Sequence, residues 1–524
     1  MYIVIDCETT GLPRNWKAPV SDAANWPRVV QLAWSRIDGQ LGKIESVSRL
    51  IRPDGFVIPA AAERVHRIST RRATGTAPMM PDFAMGFWQC KLRYRSQEEL
   101  LEVAREYHRR GIQLSVIVCD FFHWTHLGDW RFDPEEWPDP AAAVKELASY
   151  GTRLMVSVWP SVSPLSENHA ELERRGLFIG TEFGPTAHAD WPDKGIDTTV
   201  QVAFYDATNP EAREFVWSRL ADNYLALGVE SWWADACEPE LKPACPANLR
   251  YHVGPGLEVG NVYPRENART FYEGMVETGR TDVVTLNRSA WAGSQRYGAA
   301  LWSGDIGTDF ATLRSQIAAG LNVAVSGIPW WNTDIGGFHG GDPTSPEYRE
   351  VMVRWFQFGT FSPIMRLHGF REPAMEFSPQ ITGGPNELWS YGERAFEIMA
   401  SYVRLRERIT PYLLEQMAVT HRDGLPVMRP LFVDFPDDEQ AWTVDDAYLF
   451  GRDLLVAPVL EAGARTRTVY LPSGALWCDA WTGTAYPGGA TVTVDAPLER
   501  VPLFLRDGTL LPIHEPCGPG TDVS

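Results

Sequence analysis

The 524-residue chain lacks the marks of several large classes of protein. Its 7 cysteines are scattered and include no CxxC pair, so neither a zinc knuckle nor a disulfide scaffold is expected. No run of about 18 apolar residues occurs, so no membrane-spanning helix is expected. The start, "MYIVIDCETTG", has no basic flank and does not read as a signal peptide; a cytoplasmic protein is the expectation. Positive charge is scarce: 48 Lys and Arg stand against 67 Asp and Glu, a net charge of −19, which argues against a nucleic-acid partner for the bulk of the chain. No internal repeat or low-complexity tract stands out. Tryptophan, in contrast, is abundant at 21 residues. Indoles suit flat, apolar platforms for sugar rings as well as core packing.

The charge is uneven. Residues 1–70 are slightly basic, and the remainder carries the acidic excess. Three runs open the chain: "YIVID", "VVQLAWSRID" and "SVSRLIRPDG". Each is closed by a turn signal, which predicts a meander of strands. From about residue 95 the pattern changes. "SQEELLEVAREYHRRG" predicts a helix with Ser96 as N-cap, Glu99 three residues on and Gly111 as stop. Helical runs then alternate with short apolar strands: "LSVIVCD", "RLMVSVWP", "SWWADA", "VVTLNRS", "ALWSGD", "VAVSGIPWW" and "SPIMRLHG", the last read as the eighth strand. These runs number seven, one short of the eight at which a barrel closes; taking the last as the eighth favours a parallel (β/α)8 barrel over an open doubly wound sheet. Asp120, Trp159, Asp235, Arg288, Asp305 and His368 stand at or just past strand ends, the side of a barrel that carries its active site. After a long helix, "ERAFEIMASYVRLRERITPYLLEQMAVTH", short alternating runs predict a β-sandwich.

"SWWADACEPE" sets Asp235 against two indoles. A buried carboxylate is costly unless paired or used. With "GFWQCKLRYRSQEELLEVAREYHRRGI", "VSVWP", "RSAWAGSQRYG", "LWSGD", "DIGGF" and "MRLHG", this stretch resembles glycoside hydrolase family 31, in the family's motif order, over residues 78–512. The resemblance implies a retaining α-glycosidase that needs no cofactor, with Asp235 as nucleophile and Asp305 as acid/base. It further implies sugar contacts from Asp120, Arg288 and His368, pocket walls from Trp159 and Trp302, and pocket shaping by Asp334. Glu238 is expected to support Arg288. The substrate is a glycoside or oligosaccharide ending in α-linked xylose or glucose; the nucleophile motif looks most like the α-xylosidase branch. Oligomeric state is left open.

Residues 1–72 differ from that family, which normally carries a β-sandwich before the barrel. "IVIDCETTGLP" and "VHRIS" resemble the opening half of a DEDD-type exonuclease of ribonuclease H-like fold. Asp6 and Glu8 stand where that family binds metal, but the later carboxylate motifs are missing. The expected layout is thus a truncated exonuclease-like segment (1–72), a catalytic barrel (78–424) and a C-terminal sandwich (425–515), with a junction near residues 73–78. Two further readings remain: a metal-dependent nuclease, and a carbohydrate-binding remnant without turnover.

Overall fold

A computed structural model describes residues 2–9, 29–38, 43–50 and 75–513, except 197, 242–244 and 378–379. The first three segments form the antiparallel meander expected of them, Tyr2–Thr9 against Val29–Asp38 against Lys43–Leu50. The side chains of Asp6 and Glu8, and all of "VHRIS", lie outside the described residues, as does the junction at residues 73 and 74.

Eight parallel strands follow. In chain order they are Phe87–Gln89, Val116–Cys119, Arg153–Val158, Ser231–Ala234, Thr285–Asn287, Ala299–Trp302, Trp331–Asn332 and Met365–Leu367. The first seven pair in chain order, and the eighth pairs with the first. The seventh reaches the eighth through a parallel bridge between Ile335 and Leu367, which completes the ring. Short, apolar strands buried on both faces are what a parallel sheet under helices demands.

Two strand readings need correction. The first barrel strand is Phe87–Gln89, inside "GFWQCKL". It was not among the runs read as strands, so Asp120 follows the second barrel strand rather than the first. "VAVSGIPWW" is not one strand either. Val323–Val325 belong to the helix Phe310–Val325, whose buried Leu313, Ile317, Leu321 and Ala324 keep helical spacing. That packing overrides the β-preference of two valines. The helix stops before Gly327 (φ +91°), and only Trp331–Asn332 form the strand.

The outer helices start and stop where their caps dictate. Ser96 accepts a hydrogen bond from the Glu99 amide at 3.2 Å, and Gly111 has φ +65° past the end of Gln97–Arg109. Asp139, Asn209, Asp309 and Ser345 cap four others in the same way. The long helix Glu393–Asp423 leads into the C-terminal domain. There a six-stranded antiparallel sheet faces the pair Thr466–Leu471 and Ala490–Asp495. Val469 and Val494 from the pair meet Leu449, Leu455, Trp477 and Phe504 from the larger sheet in one buried core.

Candidate active site

The fourth barrel strand, Ser231–Ala234, explains the doubled tryptophan. Neighbouring side chains on a strand point to opposite faces. Trp232 faces outward, against Trp217 and Phe271 of two outer helices, each at 5.8 Å between ring centroids. Trp233 faces the barrel mouth, edge-on to Trp302 (5.4 Å) and His368 (5.2 Å). Asp235 is the first residue past the strand. Its amide bonds the Val158 carbonyl of the neighbouring strand at 3.3 Å, and its Oδ1 accepts from the Ala236 amide at 2.8 Å. Ala236 takes φ +53°, a left-handed conformation that favours glycine, so the chain turns sharply there.

Asp235 opens into a cavity of about 220 Å³ also lined by Asp120, Trp159, Arg288, Asp305 and His368. All six strand-end residues singled out in the sequence are thus gathered at one mouth. Trp302 and Asp334, the other two, stand behind it. Trp302 is buried against Trp233. Asp334 is fully buried and paired with Arg366, whose guanidinium lies 5.7 Å from the Trp233 ring and 5.6 Å from Trp302. Sequence reasoning missed Phe121, Trp191, Trp233, Glu240 and Phe338 in the lining. Phe121 and Trp233 adjoin residues already chosen, and chain proximity alone would have found them. Trp191 sits on a strand, His188–Pro192, of an insertion between the third barrel strand and the next outer helix.

Aromatic rings form one wall. Phe121 stacks on Trp159 at 5.2 Å with planes 5° apart, and Trp191 is tilted against Trp159 at 5.4 Å. Polar groups form the other. Arg288 Nη1 is 3.2 Å from Asp235 Oδ1. Its Nε and Nη2 each donate to Glu238 at 3.0 Å, the support expected of that residue, and Nη2 also bonds Glu240. One guanidinium is therefore held by three carboxylates, a fork geometry lysine does not reproduce.

Burial raises the Asp235 carboxyl to about 7; the Asp305 charge adds to the rise and Arg288 opposes it. Asp305 is also raised, chiefly by burial, again against Arg288. Asp120 is pushed well above its ordinary value by burial, although the Phe121 amide donates to its Oδ1 at 2.7 Å. His368 is driven well below its ordinary value by burial and by Arg366, so it is neutral. Two carboxyls of raised affinity for protons, facing one cavity, can divide one proton between them.

The sequence matches the model of the glycosyl hydrolases family 31 TIM-barrel domain over residues 77–416 and that of the family's C-terminal domain over 424–511. The chain belongs to glycosyl hydrolase family 31. It is 38% identical to an α-xylosidase of Saccharolobus solfataricus, over 84% of this chain and 57% of that protein. It is 37% identical to α-xylosidase A of Aspergillus niger, over 82% of this chain and 63% of that protein. A family 31 glucosidase, ORF2, of Pseudescherichia vulneris is 51% identical over 58% of this chain and 56% of that one. The chain thus spans roughly three-fifths of these relatives' lengths. Among solved structures, a family 31 α-xylosidase from a soil metagenome, complexed with xylose, superposes with a TM-score of 0.81. It is 46% identical and covers 91% of this chain and 72% of its own.

Proposed function

We propose that this chain is a retaining α-glycosidase that removes terminal α-linked xylose. The observation that carries the reading is the placement of Asp235 and Asp305 on one cavity, with Arg288 paired to Asp235. Arg288 holds Asp235 as the anion, and Asp235 attacks the anomeric carbon. The leaving oxygen takes the proton of Asp305. A glycosyl ester to Asp235 results. Asp305, now ionised, takes a proton from water as that water attacks the same carbon and frees Asp235. Two inversions return the original anomeric configuration. Asp120 and His368 are placed to hold ring hydroxyls, and the stacked Phe121 and Trp159 to bound the sugar.

Xylose is favoured over glucose because the relatives that match more than four-fifths of this chain at 37–46% identity are α-xylosidases, one of them solved with xylose, whereas the 51% identity to the family 31 glucosidase ORF2 spans only 58% of the chain. Release of p-nitrophenol from the α-xyloside, faster than from the α-glucoside, is the expected result. Folded protein that releases it from neither would overturn the reading.

For residues 1–72 the exonuclease resemblance rests on "IVIDCETTGLP" and "VHRIS". Magnesium-dependent release of nucleotides from DNA, lost in Asp6→Ala with Glu8→Ala, would establish it; no release would retire it. No helix among the described residues is long and apolar enough to cross a membrane. A cytoplasmic location is retained as part of the proposal.

A further inference from the structure

Three side chains meet at the ends of three adjacent barrel strands; Asp120 and His368 hold ring hydroxyls in the reaction above, and Cys90 has no part in it. Cys90 lies one residue past the first strand, Asp120 one past the second and His368 one past the eighth. The first strand is hydrogen-bonded to both of the others. The Cys90 Sγ, an Asp120 carboxylate oxygen and a His368 ring nitrogen all lie within 4.8 Å of one another, and all three residues are buried. His368 Nε2 stands 3.9 Å from Asp120 Oδ2, too far for a hydrogen bond, and His368 Nδ1 is buried with no partner. The imidazole is therefore held by ring packing against Trp233 and Phe338, not by hydrogen bonds.

We propose that Cys90, Asp120 and His368 form a binding site for a thiophilic divalent cation of the zinc type, beside the glycone pocket, and that the bound cation competes with the sugar. Sulfur, imidazole nitrogen and carboxylate oxygen together suit a borderline-soft metal and not magnesium or calcium. Around tetrahedral zinc, ligand atoms stand roughly 3.3–3.8 Å apart by the usual bond lengths. Donors already within 4.8 Å therefore need to close by about 1.5 Å at most. Three protein ligands leave a fourth position for solvent or a hydroxyl. Binding forms a metal–sulfur bond and breaks the S–H bond, whose proton goes to solvent; a proton on Asp120 leaves in the same way. The neighbouring Arg366 guanidinium does not forbid a cation, because Asp334 neutralises it. Asp120 and His368 line the pocket, so a metal that engages them removes two of its polar contacts.

The competition half rests on the glycosidase reading; the metal-binding half does not. Titration of the full chain with cobalt(II) as a zinc probe is expected to give a near-ultraviolet thiolate-to-cobalt charge-transfer band. The band should be absent in Cys90→Ser and Cys90→Ala, and should weaken as xylose is added. In turnover of p-nitrophenyl α-xyloside, zinc is expected to raise the apparent KM with kcat unchanged. Excess EDTA should reverse the effect, and both variants should need roughly tenfold more zinc or beyond. Cys90 makes no contact used in the reaction, so each variant that folds, as judged by circular dichroism, keeps its zinc-free activity. No charge-transfer band in the folded parent chain would overturn the site. Equal zinc sensitivity in parent and variants, or a fall in kcat with KM unchanged, would overturn its competition with substrate.

Discussion

Asp235 and Asp305 should respond differently to truncation. Asp235→Ala is expected to lose nearly all turnover on every glycoside, because no ester forms. Asp305→Ala should retain far more activity on p-nitrophenyl than on alkyl xylosides, since an activated leaving group needs little protonation. Equal losses on both would contradict the acid role. The raised carboxyl of Asp235, about 7, places the acid limb of kcat/KM near that pH, with activity falling as the pH drops and Asp235 takes a proton. Removing Arg288, as Met, takes away the charge that most lowers this value, so the limb should move to higher pH. Stability follows the opposite sign. A carboxyl raised in the folded state binds protons more tightly there than in the unfolded chain, so its ionisation weakens the fold as pH rises from about 4 to 7. Asp235→Asn is therefore expected to raise Tm at pH 8, an effect of up to about 4 kcal/mol. The difference should vanish below pH 4, as a pH series of thermal melts would show; an unchanged or lowered Tm at pH 8 would mean that Arg288 already offsets the burial.

At the scale of single elements, the insertion that carries Trp191 is the part of the pocket with the weakest sequence signal. Its strands, Ser161–Val162, His188–Pro192 and Thr199–Phe204, are short and mixed in polarity, and the last two are partly exposed, so they lack the apolar runs that betray the barrel strands. Trp191→Ala should raise KM severalfold on xylosides and change kcat less, because this ring lines the cavity wall and carries no group that the proposed reaction uses. A fall in kcat alone would place Trp191 in the chemistry. The first barrel strand escaped reading for a related reason. Phe87–Gln89 is three residues long, and its Gln89 is fully buried but polar, paired with the Tyr107 hydroxyl at 2.5 Å. Hydrophobic patterning does not register a three-residue strand that ends on an amide, here one buried against the outer helix Gln97–Arg109. The capped helices were legible because their punctuation is local: Ser96, Glu99 and Gly111 act within one turn of their own amides.

Across the whole molecule, the barrel and the C-terminal sheets could be read from the succession of patterns, but the polar part of their joint could not, because it is made of arginine and backbone carbonyls beside a shared apolar core. Arg354 of helix Pro346–Thr360 is 1% exposed and has no carboxylate partner within salt-bridge distance among the described residues. It donates instead to four carbonyls of the C-terminal domain: Ala464 (3.2 Å), Ala496 (2.8 Å), Pro497 (3.0 Å) and Arg500 (3.0 Å). Gln357, one turn on, donates to the Leu498 carbonyl at 2.7 Å. Arg354→Met would leave these acceptors unpaired and is expected to cost roughly 3–5 kcal/mol. The check is chemical denaturation: the parent should unfold its two domains in one transition, and the variant should separate them or unfold both earlier. Unchanged denaturation of the variant would show that the carbonyls find other donors. Treatment with EDTA in metal-free buffer should leave glycosidase activity where it was; a loss restored by magnesium would tie the barrel chemistry to a metal after all.

The joint at Arg354 also sets where this chain can be cut and recombined. A chimera that takes its C-terminal sheets from another member of the family, joined after the long helix that ends at Asp423, keeps Arg354 but exchanges every carbonyl it meets. A loop between residues 496 and 500 of different length would then strand a buried guanidinium. The helix Pro346–Thr360 and the sheets therefore constitute a single unit of inheritance, although more than 60 residues separate them, and a viable crossover lies before Pro346 rather than at the apparent domain boundary.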